Sequence, residues 1–187
     1  MAVNLWIVTG WRGSGKTTFC REMVQAASRI GLDPAGLISP AGFKQDQKDS
    51  IWAEAIRSGE KRLLATDRPR TQEDLAFGDW YFNQSTLEWG NEVLKSSVPC
   101  DVLVIDELGP LEFHFSLGWV SAMDVIRTGN YHLALVVVRP ELLETAKIIL
   151  QPVNTIQMTN VEEVNSRVLQ FTPLLFQVKE IVCRTSM

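Results

Sequence analysis

The sequence lacks the features that secreted or membrane-spanning proteins need. No apolar run approaches the roughly 20 residues of a transmembrane helix. The three cysteines, Cys20, Cys100 and Cys183, are far apart and form no C-x-x-C pair, which argues against a disulfide framework or a zinc site. A signal peptide carries basic residues before its apolar region, and the N-terminal apolar run of this chain has none before it. We therefore expect buried or free thiols, no membrane association and a cytoplasmic location.

An excess of charge of one sign is also missing. With 18 basic and 22 acidic residues the formal net charge is −4, and no basic tract is present. Nucleic-acid-binding proteins normally concentrate lysine and arginine on one face. The composition therefore predicts no nucleic-acid partner, and it remains compatible with a locally basic phosphate pocket.

The most informative segment that is present is rich in glycine. Gly10-Trp11-Arg12-Gly13-Ser14-Gly15-Lys16-Thr17 follows an apolar run at residues 3–8 and opens an amphipathic stretch. This spacing is typical of a P-loop, in which backbone N–H groups surround phosphate oxygens at the start of a helix. The alternative is a glycine-rich strand-to-helix turn that contains a lysine by chance.

The polar residues of this loop have predicted roles. Lys16 reaches the β- and γ-phosphates and takes part in catalysis, and the Thr17 hydroxyl ligates Mg²⁺. The predicted nucleotide-binding residues of the loop are Gly10, Trp11, Arg12, Gly13, Ser14, Gly15, Lys16, Thr17 and Thr18.

Short apolar runs alternate with helical patterns along the chain. Residues 102–105 and 133–138 are continuous apolar runs, as expected for parallel strands buried on both faces, and residues 155–158 are a weaker candidate. Apolar residues three or four apart predict helices at residues 84–95, 116–127, 141–150 and 160–171. We therefore expect one α/β domain over residues 1–187, with a mostly parallel P-loop sheet and helices on both of its faces.

The segment at residues 36–66 has a different pattern. Residues 37–39, 50–57 and 62–65 predict strands, and Ser58-Gly59-Glu60-Lys61 predicts the turn of a hairpin. We therefore expect an antiparallel hairpin added to the otherwise parallel sheet.

Two carboxylates follow the apolar run at residues 102–105. Asp106 and Glu107 in this place are typical of a Walker B element, in which Asp106 holds Mg²⁺ and Glu107 orients or deprotonates the attacking water. Acidic residues also occur at strand ends for structural reasons. Because phosphoryl transfer needs a metal and a positioned water beside a P-loop, we interpret the pair as functional.

Three motifs carry a resemblance to a known family. They are Gly13-Ser14-Gly15-Lys16-Thr17-Thr18, Gly36-Leu37-Ile38-Ser39-Pro40 and Ile105-Asp106-Glu107-Leu108-Gly109-Pro110-Leu111-Glu112. In this order the chain resembles the small cytosolic P-loop nucleoside-triphosphatases described from thermophiles, which have a cancer-related animal member. The likeness extends to about Val138. The acidic pair followed by a glycine-proline turn is the motif most specific to this family.

The resemblance implies Mg²⁺-dependent hydrolysis of ATP, GTP and other nucleoside triphosphates to diphosphate and phosphate. It also implies that a second segment lines the nucleotide site, namely Leu103, Val104, Ile105, Asp106, Glu107, Leu108, Gly109 and Pro110. A small-molecule kinase uses the same loop, and a nucleotide-dependent adaptor with little turnover is a third reading. No Asn-Lys-x-Asp motif for guanine is present, so the sequence does not fix the base.

Some residues have more than one reading. Arg12 lies over the phosphates or faces solvent, and Trp11 stacks on the nucleotide or packs on the first helix. Arg139 senses the γ-phosphate or has a capping role at the carboxyl edge of the sheet. Glu112 supports the water-positioning carboxylate or lies on the surface, and Asp67-Arg68-Pro69-Arg70 is a lid or a solvated loop.

Overall fold

The computed structural model describes residues 4–152 and 154–185. Val3, which the sequence places in the first apolar run, lies outside the described residues. The strands are β1 (Asn4–Thr9), β2 (Pro34–Ile38), β3 (Ala41–Lys44), β4 (Gln47–Ala55), β5 (Lys61–Thr66), β6 (Leu75–Phe77), β7 (Trp80–Phe82), β8 (Val102–Leu108), β9 (Leu133–Val138) and β10 (Asn154–Gln157). The helices are α1 (Lys16–Arg29), α2 (Gln84–Ser96), α3 (Pro110–Phe115), α4 (Val120–Thr128), α5 (Leu143–Leu150) and α6 (Val164–Thr185).

Half of the sheet is parallel and carries the predicted site. Its strand order is β10-β1-β9-β8-β2, and each neighbouring pair is parallel. All six residues of β9 are buried, because helices cover both faces of a central parallel strand. The strand β9 therefore separates β1, which leads into the glycine-rich loop, from β8, which carries the acidic pair.

Helices cover both faces of this sheet, as the sequence predicts. On one face α1 and α6 share an apolar cluster with the sheet that includes Phe19, Met23 and Leu175. On the other face α2, α4 and α5 contribute Leu94, Val125 and Ala146 to a second cluster. The predicted α/β class is confirmed, and within the described residues no helix is long and apolar enough to cross a bilayer.

The rest of the sheet is antiparallel and larger than the predicted hairpin. The hairpin is present as β4 and β5, and the sheet continues through β7 and β6, while β3 pairs with β4. The strand β2, which the sequence groups with this addition, runs parallel to β8 and antiparallel to β4, so it joins the two halves. We name the strands β3 to β7 the antiparallel extension.

Two predicted helices have different bounds. The pattern at residues 116–127 forms only α4, because Ser116 and Gly118 have positive φ angles and separate α4 from α3. The pattern at residues 160–171 begins with a 3-10 turn and continues in α6 to Thr185. The cysteines are free thiols; Cys20 and Cys100 are buried and Cys183 is exposed.

Close packing of α2 against Trp119 makes Gly90 a sensitive position. A Cβ atom at Gly90 would lie 2.2 Å from the Trp119 ring, and Trp119 is only 3% exposed and has little room to move. Alanine favours a helix by up to about 1 kcal/mol over glycine, but overpacking of a core costs about 1–3 kcal/mol. We therefore expect Gly90→Ala to lower the free energy of unfolding by about 1–2 kcal/mol in urea denaturation.

Glu88→Ala is the matched control on the same helix, because Glu88 is exposed. It should leave stability nearly unchanged. Equal or greater stability of Gly90→Ala would contradict this account of the packing.

Candidate nucleotide-hydrolysis site

The glycine-rich loop joins β1 to α1 and packs tightly against the chain that follows β10. Gly10 has a φ of 152°, and a Cβ there would lie 2.2 Å from the carbonyl oxygen of Met158 and 2.5 Å from Ser14 Oγ. The N–H of Met158 donates to the carbonyl oxygen of Thr9 over 2.7 Å. Only glycine fits at this position, so the loop is held in one conformation against β10.

The start of α1 presents several donors on the inner side of the loop. Lys16 is the first residue of α1, and the first N–H groups of a helix have no partner within the helix. Lys16 Nζ donates to the carbonyl oxygens of Gly10 at 2.6 Å and Trp11 at 3.0 Å, which holds the ammonium at the loop. Ser14 Oγ is buried and has no hydrogen-bond partner among the described residues. These groups form a site that suits an anion.

Asp106 lies at the end of β8 and is 1% exposed. The Ser39 N–H donates to its Oδ2 over 3.2 Å, and the Thr17 hydroxyl lies close enough to the carboxylate to lower its pKa. The Ser39 hydroxyl also donates to the Asp106 carbonyl oxygen. Burial, the largest cause, and the nearby Glu107 raise the pKa of Asp106 to about 7, while Thr17 and Ser39 act in the opposite direction.

Glu107 is held by an arginine from the neighbouring strand. Arg139 directly follows β9, and its Nε donates to Glu107 Oε1 over 2.5 Å. The register between β8 and β9 shifts between Ile105 and Leu108, so the acidic pair lies in an irregular part of the ladder. Such irregularities redirect side chains beside sites. Arg139 therefore belongs to the site, and its role as a cap is not observed, since it makes no side-chain capping bond.

Lys48 is a residue of the site that the sequence did not reveal. It lies in β4, is half-buried, and its Nζ is 4.9 Å from the centre of the Trp80 ring. Burial is the largest influence on the pKa of Lys48 and lowers it, with Glu107 acting against this and Arg12 and Arg139 adding to it. No local spacing marks this lysine, because strand pairing in the antiparallel extension brings it to the site.

Glu112 supports the turn that follows the acidic pair. Its Oε2 accepts from the Gly109 N–H at 2.8 Å, and its Oε1 accepts from the Trp119 N–H at 2.7 Å. Glu112 thus ties the start of α3 to the start of α4. The surface reading is wrong, and Glu112 fixes the backbone immediately beyond Glu107.

A family model described as NTPase matches residues 5–171 of the chain. The chain belongs to this NTPase family. Its members are nucleoside-triphosphate phosphatases, and the resemblance seen in the sequence motifs is confirmed.

Curated relatives of this family member come from archaea. The nucleoside-triphosphatase THEP1 of Methanosarcina barkeri is 29% identical over 121 residues, which are 64% of this chain and 67% of the relative. The protein of the same name from Thermococcus kodakarensis is 28% identical over 116 residues, 60% of this chain and 64% of the relative. The chain thus spans about two thirds of the length of these relatives.

Solved structures share the fold of this NTPase. The crystal structure of THEP1 from Aquifex aeolicus has a TM-score of 0.63 and 18% identity, and the match covers 91% of this chain and 98% of that one. The solution structure of a human cancer-related nucleoside triphosphatase has a TM-score of 0.61 and 19% identity, with 99% and 98% covered. At these identities the likeness shows the P-loop NTPase fold alone.

Not every residue predicted for the site reaches it. Leu103, Val104 and Ile105 are fully buried in the two apolar clusters, so their side chains support β8 and do not face the loop. Trp11 is 70% exposed and is not packed on α1. Arg12 is also exposed.

Among the described residues, the side-chain hydrogen bonds and ion pairs of the predicted lid join it to nearby residues of its own segment. Arg68 pairs with Asp67, and the Arg70 N–H donates to Asp74. Arg70 lines a separate cleft with Tyr81 and other residues of the antiparallel extension. The solvated-loop reading fits this segment.

The donors beside the loop suit Mg²⁺. The Thr17 hydroxyl and the Asp106 carboxylate are neighbouring oxygen donors, and Mg²⁺ needs only one or two protein oxygens when phosphates supply the others. No cluster of three or more His, Cys, Asp or Glu side chains suitable for a metal occurs in residues 4–152 and 154–185. A cation shared with the phosphates fits this donor set.

The stability of this NTPase should depend on the ionisation of Glu112. Burial raises the pKa of Glu112 from 4.5 to about 7, against the lowering effect of the N–H donors from Trp119 and Gly109. Since the folded pKa exceeds the unfolded one, the native state binds the proton more tightly and loses stability as pH rises from about 4.5 through 7. In urea denaturation this loss should be steeper in the wild type than in Glu112→Gln, by up to about 1.4 kcal/mol per pH unit, because the raised pKa of Asp106 contributes its own loss in both proteins.

Glu144→Gln provides the control, because Glu144 is exposed and pairs with Lys147 on α5. Its pH dependence should follow that of the wild type. Parallel curves for the wild type and Glu112→Gln would show that Glu112 has an ordinary pKa.

Proposed function

We propose that this chain is a single-domain enzyme that hydrolyses nucleoside triphosphates to diphosphate and phosphate with Mg²⁺. The observation that carries the proposal is the approach of the Thr17 hydroxyl to the buried Asp106 carboxylate, close enough to lower its pKa, because it brings the phosphate-binding loop next to the acidic end of β8. The carboxyl edge of the parallel strands then holds the loop, the metal ligands and the water-positioning carboxylate. Ligands of open α/β sheets bind at this edge.

The loop binds the phosphates. The N–H groups of Gly13, Gly15 and the first turn of α1 surround phosphate oxygens, and Lys16 exchanges its loop carbonyls for the β- and γ-phosphates. The unpartnered Ser14 hydroxyl gains an acceptor in the same way. Contacts with the phosphates thus replace the hydrogen bonds that Lys16 makes with carbonyl oxygens of the loop.

Thr17 and Asp106 are the residues that would hold Mg²⁺. When bound, the cation would neutralise the negative charge that develops on the phosphate oxygens. The buried position of Asp106 fits this role, since an ionised carboxylate there needs a positive partner.

Glu107 directs the attacking water. The water oxygen forms a bond to the γ-phosphorus, the bond from this phosphorus to the β–γ bridging oxygen breaks, and the water proton passes to Glu107. Arg139 orients Glu107 through its 2.5 Å hydrogen bond. The cations of Arg139 and Lys48 also stabilise the negative charge that spreads over the γ-phosphoryl oxygens.

Several nucleotides are expected as substrates. The sequence has no guanine-reading motif, so we propose that ATP, GTP and other nucleoside triphosphates are hydrolysed in the cytoplasm. Phosphate release by the purified protein with each of ATP, GTP, CTP and UTP tests this. Release that depends on an added protein would favour the adaptor reading.

Replacement of the loop lysine should abolish nucleotide binding. In Lys16→Ala the phosphates lose their positive partner at the loop, so isothermal titration with MgATP should give no measurable heat at concentrations that saturate the wild type. Lys44→Ala is the control, because Lys44 is exposed on β3. Wild-type affinity in Lys16→Ala would exclude the loop as the phosphate site.

Replacement of Glu107 should separate binding from turnover. Glu107→Gln keeps the shape of the side chain and removes the proton acceptor, so kcat should fall by about 10²–10⁴-fold while the Kd for MgATP stays within a small factor. Phosphate release and titration calorimetry measure the two quantities. Full activity of the variant would refute the proposed role, and Glu144→Gln should retain it.

A further inference from the structure

A cavity of about 240 Å³ lies between the antiparallel extension and the end of β8. Glu107 and Arg139 line one end of it, and none of the residues from Gly10 to Thr18 line it. Glu107 thus belongs both to the proposed hydrolytic site and to the lining of this cavity. A molecule in the cavity would reach the γ-phosphoryl group from the side on which the attacking water is expected.

The walls of the cavity are mostly apolar and aromatic. Ile51, Leu64, Phe77, Trp80 and Trp119 form its inner part. The volume also lies below the roughly 300–1,000 Å³ of common ligand pockets, which fits a compact ring and not a nucleotide. Hydrolysis alone requires no such cavity.

The charged groups that line the cavity are two cations, Arg139 and Lys48, and three carboxylates, those of Asp79, Glu107 and Glu112; Asp79 is exposed, and Glu112 already accepts from two backbone N–H groups. Arg139 is paired with Glu107. Lys48 contacts the Trp80 ring and forms no ion pair within the described part of the chain. A half-buried ammonium that lies on an aromatic face favours a ligand with a negative group. Ser39, which also lines the cavity, adds a hydroxyl beside it.

We propose that this cavity binds a single-ring hydroxy-carboxylate and that its hydroxyl accepts the γ-phosphoryl group of the nucleotide. The ring lies among the apolar walls, the carboxylate pairs with Lys48, and the hydroxyl points to Glu107. The acceptor oxygen forms a bond to the γ-phosphorus, the bond to the β–γ bridging oxygen breaks, the nucleoside diphosphate leaves, and the hydroxyl proton passes to Glu107. The inference rests on the proposed nucleotide site, with water replaced as the nucleophile.

The experiment uses the full chain, MgATP and defined probes. The probes are 3- and 4-(hydroxymethyl)benzoate, 4-methylbenzoate, which lacks the hydroxyl, and benzyl alcohol, which lacks the carboxylate. Tryptophan fluorescence reports binding, because Trp80 and Trp119 line the cavity. Phosphorus NMR separates a phosphate monoester from inorganic phosphate.

The expected result depends on both the hydroxyl and the carboxylate of the probe. At least one (hydroxymethyl)benzoate should bind and yield a phosphate monoester in place of inorganic phosphate. 4-Methylbenzoate should bind without forming an ester, and benzyl alcohol should bind about tenfold more weakly because it lacks the anionic group. Absence of binding by every carboxylate probe would overturn the cavity as a ligand site. Binding without any ester would overturn the transfer step.

A matched pair of variants locates the probe. Ile51→Phe puts a larger side chain into the cavity and should weaken probe binding by about tenfold or more without changing phosphate release from ATP alone. Ile56→Phe makes the same change at a half-buried isoleucine that does not line the cavity, and it should behave as the wild type. Trp80→Leu is the second test if Ile51→Phe does not fold. Equal probe binding in all variants would contradict the proposal.

Failure of the proposed hydrolysis gives a different result. It appears as an absence of phosphate release and of MgATP binding without any probe. Failure of the acceptor inference leaves both of these intact and removes only the probe-dependent signals.

Discussion

The buried carboxylate of Asp106 is the constraint on which the site depends. Burial of an ionised group costs several kcal/mol unless charged or hydrogen-bonding partners surround it. The partners come from separate elements: Thr17 from the start of α1 and Ser39 from the end of β2. Since β9 lies between β1 and β8, the Thr17 contact spans a strand that takes no part in it. The acidic end of β8 therefore fixes where α1 must begin.

The antiparallel extension gives the site a second side. The parallel half supplies the loop, the acidic pair and Arg139, whereas β4 and β7 bring Lys48 and Trp80 together. The close approach of Gly90 to Trp119 fixes the wall opposite to them. One sheet thus places the phosphate-binding loop and the cavity side by side, and Glu107 belongs to both the proposed site and the cavity lining.

The sequence predicts the residues whose role is set by local chemistry. The P-loop and the acidic pair have fixed spacing, because glycine, lysine and carboxylate must lie at set offsets from a strand and a helix. Residues that reach the site through tertiary structure are not visible in this way. Lys48 lies opposite Phe43 in the pairing of β4 with β3, and Glu112 joins the starts of α3 and α4 on either side of the break at Ser116. The resemblance implies that Leu103 lines the site with the rest of its motif, although side chains of a central strand point into the two cores.

The C-terminal part of α6 supports α1, the helix that follows the phosphate-binding loop. The family match ends at Phe171, yet α6 continues, and its buried Leu175 and Val178 lie in the same cluster as Phe19 and Met23 of α1. Lys179 also donates to the carbonyl oxygen of Gly31, just beyond α1. The phosphate-binding helix is therefore covered by residues outside the segment that defines the family. A chain shortened to that segment would keep every catalytic group and lose part of the support that keeps α1 aimed at the phosphates.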